Sequence, residues 1–572
     1  MMSETIQEER PGDAIAKEGD NGYFVPDGFS RRNRDTKAVI LIGLSALIAR
    51  CLYLASPYGI IGDADEAVFG LMAQRIGALE EFPYYCWQAH YASALVSYIG
   101  AAIFHFLGAG FVQLRLAMLP FAVMTPVILY CVYRRLCPIS LAMAASFFII
   151  LCPPSYTFLS MAALGGYGEV FFGTALVIWL CLRSGDKSES GLSLQSIFFL
   201  GVLCGFLFYI SYFIIPAILA FAVPVLLLAQ SKNGKAFPVY LTGFVTGALP
   251  FIGYNLSSDG GSFIRAASRG MGVGREIVSM APGDRIMHVL SSKGSLVQSW
   301  ITLLPENVGY SIMPNDGIQA AGMAAGIVMI ILIIWFAALA WFSRDTWITD
   351  RSARLRPFAA FFLLYFLFCL VANLDRARYF SGLYFALPVC LFAIAKGRPK
   401  RQRAVLAVLC GLMGLQLVFS LDALRLRQFD PRPAVLAMKE IGLREFYGSY
   451  ASVYPVMFAS DSRCVGSPAL VAPGAPFSDR CPDCTGQVRA APSPAFVFLN
   501  GEREEMRGFE RFLGERNIGY AVKGVHGASI YHDLSVPVDL DPRAGPEGRF
   551  VVRSPSSGTV KSEPLKKAHR GS

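Results

Sequence analysis

Charge is what this sequence has least of. Only 16% of its 572 residues are Asp, Glu, Lys or Arg, against 54% hydrophobic and 13% aromatic, with a mean hydropathy of +0.47. Too little polar surface remains to solvate a globular domain of this size, so the chain reads as a polytopic membrane protein. The six histidines are scattered, and the thirteen cysteines form neither paired CxxC motifs nor a Cys/His spacing. No metal site is expected from them, and no cofactor is called for. The first thirty residues lack the apolar core of a signal peptide. No internal repeat is present. The net charge of +10 sits in short loops between apolar runs, where it orients spans, and no nucleic-acid partner is expected.

The chain opens with a polar stretch, 1–36, that reads as a disordered cytoplasmic tail. The run RRNRDTK then precedes an apolar segment, 38–56, so the positive-inside rule keeps the N-terminus in the cytoplasm and delivers the next loop to the outer face. Further runs of spanning length read as 111–133, 138–156, 168–183, 193–212, 214–230, 236–256, 321–343, 357–373, 380–396 and 404–422, about eleven transmembrane helices in all. Residues 37–422 therefore form the membrane domain. The segment 91–108 decides the topology. Counting it as a span would place five later basic loops outside, whereas a re-entrant or surface-lying helix keeps all five cytoplasmic, and the second reading is adopted. From 423 to 540 helix-like and strand-like pieces alternate, predicting a small extracytoplasmic α/β domain interrupted by a Pro/Ala/Gly/Ser-rich loop at 465–494. Cys464, Cys481 and Cys484 share that region, which accommodates one disulfide and leaves one thiol. Residues 541–572 read as a disordered tail.

Acidic residues gather at the outer boundary. Asp63, Asp65 and Glu66 open a segment, ADEAVFGLMAQRIG, whose Val68, Leu71, Met72 and Ile76 recur at helical spacing and predict an amphipathic helix on the membrane. Two readings of these carboxylates stand side by side. They cap a helix and are hydrated, or one is a general base aimed at an acceptor hydroxyl, with a neighbour whose proton affinity is raised by repulsion. GGYGE, residues 165–169, sets paired glycines before Glu169, as either a ligand-approaching turn or a helix cap. NLDRARYF places Arg376 and Arg378 in an outer turn, as phosphate-matching guanidinium groups or as interfacial anchors. GALPFIGYN, 247–255, ends a span with an interfacial aromatic, Tyr254, and a capping Asn255.

Taken in order, DEAVFGLMAQRI, FPYYCWQAHY, LCPPSYTF followed by GGYGE, GALPFIGYN, and RARYF near a late span resemble the bacterial membrane glycosyltransferases with the C-type fold, relatives of the dolichyl-phosphate-mannose protein mannosyltransferases and lipid A aminoarabinose transferases. The resemblance implies an all-α membrane core at the cell inner membrane, with a periplasmic C-terminal domain. It implies that a sugar moves, with inversion, from a polyprenyl-phosphate donor to an envelope glycan, lipid or protein acceptor. By this resemblance Asp65 is the catalytic base and Glu66 its partner. Asp63, Gln88, Tyr91, Tyr167, Glu169, Arg376, Arg378 and Tyr379 contact substrate, the arginines on the carrier phosphate. The chain departs from its relatives at Ser93, Ala94 and Val96, where they carry glycine, serine and glutamate. It departs again at Ala163 and Leu164, where they often carry a base. Two other classes compete: a transporter or flippase for a lipid-linked glycan, and a non-catalytic subunit of an envelope polysaccharide complex. Charges at the faces and the absence of a repeat favour the enzyme over the transporter.

Overall fold

An apolar run has no water to bond its backbone, so it closes its own hydrogen bonds as a helix. The computed structural model describes residues 28–151, 154–185, 193–258, 260–262, 356–372, 382, 384–385, 387–395, 399–423, 429–470, 478–540 and 550–552. Among these, Asn33–Ala55, Phe111–Tyr133 and Tyr212–Ser231 are long and apolar enough to cross a membrane. The pair Ala236–Gly247 and Leu249–Ser257, bent by 59°, makes a fourth if it is one span. Shorter apolar helices, Ile139–Ile150, Leu194–Ile210 and Arg356–Val371, fall where spans were expected, as does Gly168–Gly185. The expected run 321–343 lies outside the described residues. Pro250 explains the bend, because it brings no N–H to continue the first helix's hydrogen bonds and opens the second.

Two helices meet backbone to backbone. Gly201 and Gly205 of Leu194–Ile210 face Gly243 and Gly247 of Ala236–Gly247. A Cβ at Gly205 would stand 2.0 Å from the Phe244 carbonyl oxygen, and one at Gly247 2.0 Å from that of Val202. Each helix carries glycines four apart, the spacing that lets membrane helices approach closely.

The loop after the first long helix folds against protein. After α1 (Gly28–Ala55) and the single turn α2 (Pro57–Ile60) comes α3 (Ala64–Gly77), then the hairpin β1 (Tyr85–Cys86) and β2 (Ala89–Ser93), and then α4 (Leu95–Leu107). Val68, Leu71, Met72 and Ile76 are buried, but so are Ala67, Phe69, Gly70 and Ala73. The expectation of a helix lying on the membrane is therefore corrected: α3 is enclosed by protein. A Cβ at Gly70 would stand 2.6 Å from the Phe458 ring, and Gly100 of α4 lies against Ala73. At 13 residues α4 is one of the shorter apolar helices.

The C-terminal part carries a mixed sheet, in the order β4-β3-β5-β7-β6. Its strands are β3 (Glu445–Gly448), β4 (Val465–Ser467), β5 (Ala495–Leu499), β6 (Ala521–Val525) and β7 (Ala528–His532). β3 runs parallel to both β4 and β5, with helix Tyr450–Ala459 between β3 and β4 and helix Pro482–Ala490 between β4 and β5. The antiparallel hairpin β6–β7 turns at His526 and Gly527, where the positive φ of +87° suits glycine. The stretch 465–494, expected as a loop, thus contains a strand and a helix. Phe550–Val552 pairs with Val538–Leu540 as a separate two-stranded sheet, inside a stretch expected to be disordered. Likewise α1 starts at Gly28, within the expected tail. One apolar cluster joins this part to the first loop, with Phe69, Met72 and Phe111 packed among Tyr454, Phe458 and Phe446.

Candidate active site

The N-terminus of α3 is fixed by a capping box. The Glu66 N–H donates to Asp63 Oδ1 at 2.8 Å, and the Asp63 N–H donates to Glu66 Oε2 at 3.3 Å. Burial first, then the charges of Glu66 and Asp65, push the Asp63 carboxyl up to about 7. Asp63 is thus the acid of the group whose proton affinity is raised.

Asp65 differs from both neighbours. Half-buried, it accepts the Tyr450 hydroxyl at 2.7 Å on Oδ1, and its second oxygen has no protein partner among the described residues. Burial foremost, and then the Asp65 charge, hold the Tyr450 phenol above its ordinary range, so Tyr450 is the donor in this bond.

Glu66 is fully buried, paired with Arg115, which is buried too. Arg115 Nε donates to Glu66 Oε1 at 2.8 Å, Nη2 donates to Oε2, and Nη1 donates to the Gly59 carbonyl at 2.7 Å. The Ala163 N–H adds a bond to Glu66 Oε1 at 3.0 Å. With these partners Glu66 ties three segments together: the α3 start, helix Phe111–Leu116 and the approach to GGYGE.

GGYGE docks on the first loop. Gly165 has φ +58°, and a Cβ there would stand 2.6 Å from the Ser93 carbonyl oxygen and 2.7 Å from the Phe69 ring. Gly165→Ala is accordingly expected to cost roughly 2 kcal/mol or more, read as a lowered melting temperature of the detergent-solubilised protein. Glu169, 1% exposed, accepts the Gly166 N–H at 3.2 Å on Oε2, while Oε1 has no hydrogen-bond partner among the described residues. Beside it opens an aromatic crevice lined by Tyr167, Phe213, Tyr365 and Phe385.

The C-terminal part delivers a cation. Arg480 Nε donates to the Tyr450 hydroxyl at 3.2 Å, and Nη1 donates to the Trp87 carbonyl at 3.4 Å. Arg75 stacks over the Trp87 ring at 4.6 Å, and the Trp87 indole N–H donates to Glu81 Oε1 at 3.0 Å. The next residue, Cys481, is bonded to Cys484, and Cys464 stays free, so the expected one disulfide and one thiol are both found. Closing a loop of this length restricts the unfolded chain little. Cys484→Ala is expected to lower stability by no more than about 2 kcal/mol while loosening the Arg480 backbone, which faster tryptic cleavage after Arg480 would reveal.

The structure thus brings together Asp63, Asp65 and Glu66 with the 163–169 segment. Tyr167 faces Phe213 with ring centroids 6.1 Å apart. Gln88 and Tyr91 are exposed on the β1–β2 hairpin, Gln88 at its turn with φ +54°. Arg376, Arg378 and Tyr379 lie outside the described residues. The Tyr254 ring packs edge-on against Tyr85 with centroids 4.8 Å apart. Sequence reasoning missed Arg115, Tyr450 and Arg480. Arg115 carried a signal, a charge inside an apolar run.

No family model matches the sequence, and no curated protein does. Solved structures do match. The oligosaccharyltransferase of Archaeoglobus fulgidus, tethered with an acceptor peptide containing the NVT sequon, aligns with TM-score 0.50 and 12% identity, over 88% of this chain and 74% of that one. The same archaeal enzyme with an inhibitory peptide and a dolichol-phosphate gives 0.47 and 12%, over 88% and 74%. ArnT from Cupriavidus metallidurans, bound to undecaprenyl phosphate, gives 0.45 and 13%, over 87% and 98%. This chain has a fold similar to that of the archaeal oligosaccharyltransferase, the C-type membrane glycosyltransferase fold that its sequence resembles.

Proposed function

We propose that this chain is a membrane glycosyltransferase that moves a sugar from a polyprenyl-phosphate donor to an envelope acceptor at the outer face of the inner membrane, with inversion. The observation that carries the reading is the placement of Asp65. One of its oxygens is held by Tyr450 and the other is left for a substrate hydroxyl, at the start of a rigid, capped helix. That is the arrangement a general base requires.

In the reaction, Asp65 takes the proton of the acceptor hydroxyl as that oxygen bonds to the anomeric carbon. The bond from that carbon to the phosphate oxygen breaks on the far face, and its electron pair leaves with the phosphate. Asp63 and Glu66 fix the helix end, and the Glu66–Arg115 pair gives Glu66 a positioning role in place of a catalytic one. Glu169, Tyr167, Gln88 and Tyr91 form the remaining walls, Arg376 and Arg378 hold the carrier phosphate, and Tyr379 contacts substrate. The substrate class is supported by the archaeal enzyme of similar fold, an oligosaccharyltransferase tethered with an acceptor peptide. No metal is assigned a role in this reading.

The test compares envelope glycans by mass spectrometry between cells carrying the native protein and cells carrying Asp65→Asn at matched expression. One glycan should lose a single sugar in the mutant while its lipid-linked donor accumulates. A mutant that modifies the glycan as well as the native protein would instead favour a transporter or an assembly subunit.

A further inference from the structure

The hydrogen bond to Asp65 does not come from the membrane helices. It comes from Tyr450, 385 residues further along the chain. Tyr450 is itself the acceptor of a bond from a third residue, Arg480. A phenol that accepts from a guanidinium and donates to a carboxylate is polarised in one direction, since the cation strengthens the O–H as a donor.

The relay is held from behind. The Tyr450 ring lies edge-on to Tyr454, with centroids 4.9 Å apart. The Tyr454 hydroxyl accepts the Arg480 N–H at 2.6 Å and donates to Asp479 Oδ1 at 3.3 Å. Asp479 Oδ1 also accepts the Cys481 N–H at 2.9 Å, next to the Cys481–Cys484 disulfide. Arg480 is thus fixed through both its backbone and its side chain. Docking alone needs none of this, because Phe458 against Gly70 and Phe111 already joins the two parts by apolar contact.

We propose that Tyr450 and Arg480 are positioning residues for the Asp65 base, so that the C-terminal part completes the active site instead of merely lying over it. This rests on the reading of Asp65 as the base. The Tyr450 hydroxyl occupies Oδ1 and fixes the carboxylate plane, which leaves Oδ2 as the atom that meets the acceptor hydroxyl. Arg480 stands two hydrogen bonds behind the base. In an inverting displacement the base and the leaving phosphate are on opposite faces of the sugar, so Arg480 belongs to the base's side and is not the phosphate clamp. Neither residue exchanges a proton in the reaction: the acceptor's proton goes to Asp65, and the electron pair leaves with the phosphate.

The experiment uses the full chain with Tyr450→Phe, Arg480→Gln, Arg480→Lys and Asp65→Asn. Three quantities are read: the initial rate at which the affected envelope glycan gains its sugar, the melting temperature of the purified protein, and its affinity for undecaprenyl phosphate. Tyr450→Phe keeps the ring packing and loses only the hydroxyl. Its rate is expected to fall roughly tenfold or more, with a melting temperature within about 2 °C of native and undecaprenyl phosphate affinity within about twofold. Arg480→Lys, which keeps the charge, should be faster than Arg480→Gln. If Asp65→Asn is inactive while Tyr450→Phe works at the native rate, this inference is overturned and the proposed function stands. If each rate loss follows a matching loss of folded protein, the two residues are docking contacts and the inference is again overturned. If Asp65→Asn itself is as active as native, the proposed function fails, and the inference with it.

Discussion

Arg115→Met is expected to leave little folded protein. The substitution keeps length and apolar volume, but it strands the Glu66 carboxylate in a site where both partners are fully buried. Breaking a buried pair from one side typically costs about 3–5 kcal/mol, because the remaining charge has neither water nor counter-ion. Glu66→Met should cost a similar amount, by stranding Arg115. The double variant Glu66→Met/Arg115→Met removes both charges and should melt closer to the native protein than either single change. Melting temperatures in detergent, with size-exclusion profiles, give the answer. Equal melting of Arg115→Met and the native protein would show that the pair is not needed to hold the loop. The position explains the size of the effect. Glu66 also accepts the Ala163 N–H, and Arg115 reaches the Gly59 carbonyl, so one ion pair ties four stretches of chain beside Asp65.

Much of this was legible in the sequence, and the part that was not has a common physical origin. A helix over 111–133 follows from its apolar run, since a backbone in lipid has no alternative. The capped start of α3 follows from Asp63 with Glu66 three residues later. The environment of α3 did not follow. Val68, Leu71, Met72 and Ile76 mark an apolar stripe, but a stripe states that a surface is covered and not by what, and here protein covers it. The same limit hid Tyr450 and Arg480. Their bonds to Asp65 and Trp87 join residues hundreds of positions apart, and no local period or spacing encodes such a contact. The resemblance implies that Glu66 partners Asp65, and the structure pairs it with Arg115, a charge inside an apolar run that the sequence already displayed.

That pairing sharpens what the remaining acids do. Three carboxylates within four residues would repel one another if all were free. Glu66 is neutralised by Arg115, and the Asp63 carboxyl is pushed up to about 7 inside the capping box. Asp65 has Oδ1 on the Tyr450 hydroxyl and Oδ2 without a partner among the described residues. Its Tyr450 bond faces the C-terminal part.

Asp65→Asn is therefore expected to lower sugar transfer by roughly 10²- to 10⁴-fold, the contribution of a positioned general base, without unfolding the protein. Asparagine retains an oxygen that accepts the Tyr450 hydroxyl, and it keeps the side chain's length at the helix start, so the scaffold has no reason to move. Asp65→Glu separates charge from place. It restores a carboxylate but carries it one methylene too far, and a displacement of about 1 Å at a reacting centre costs roughly 10²-fold. Initial rates at matched amounts of folded protein should then rank native above Asp65→Glu, and Asp65→Glu above Asp65→Asn. If glutamate and asparagine fail equally, position matters as much as charge, and the Tyr450 bond is what sets the position. If asparagine transfers sugar within about threefold of native, a factor far below any general-base contribution, Asp65 does not take the proton. In that case Glu169, buried with one unpartnered oxygen among the described residues, becomes the carboxylate to test.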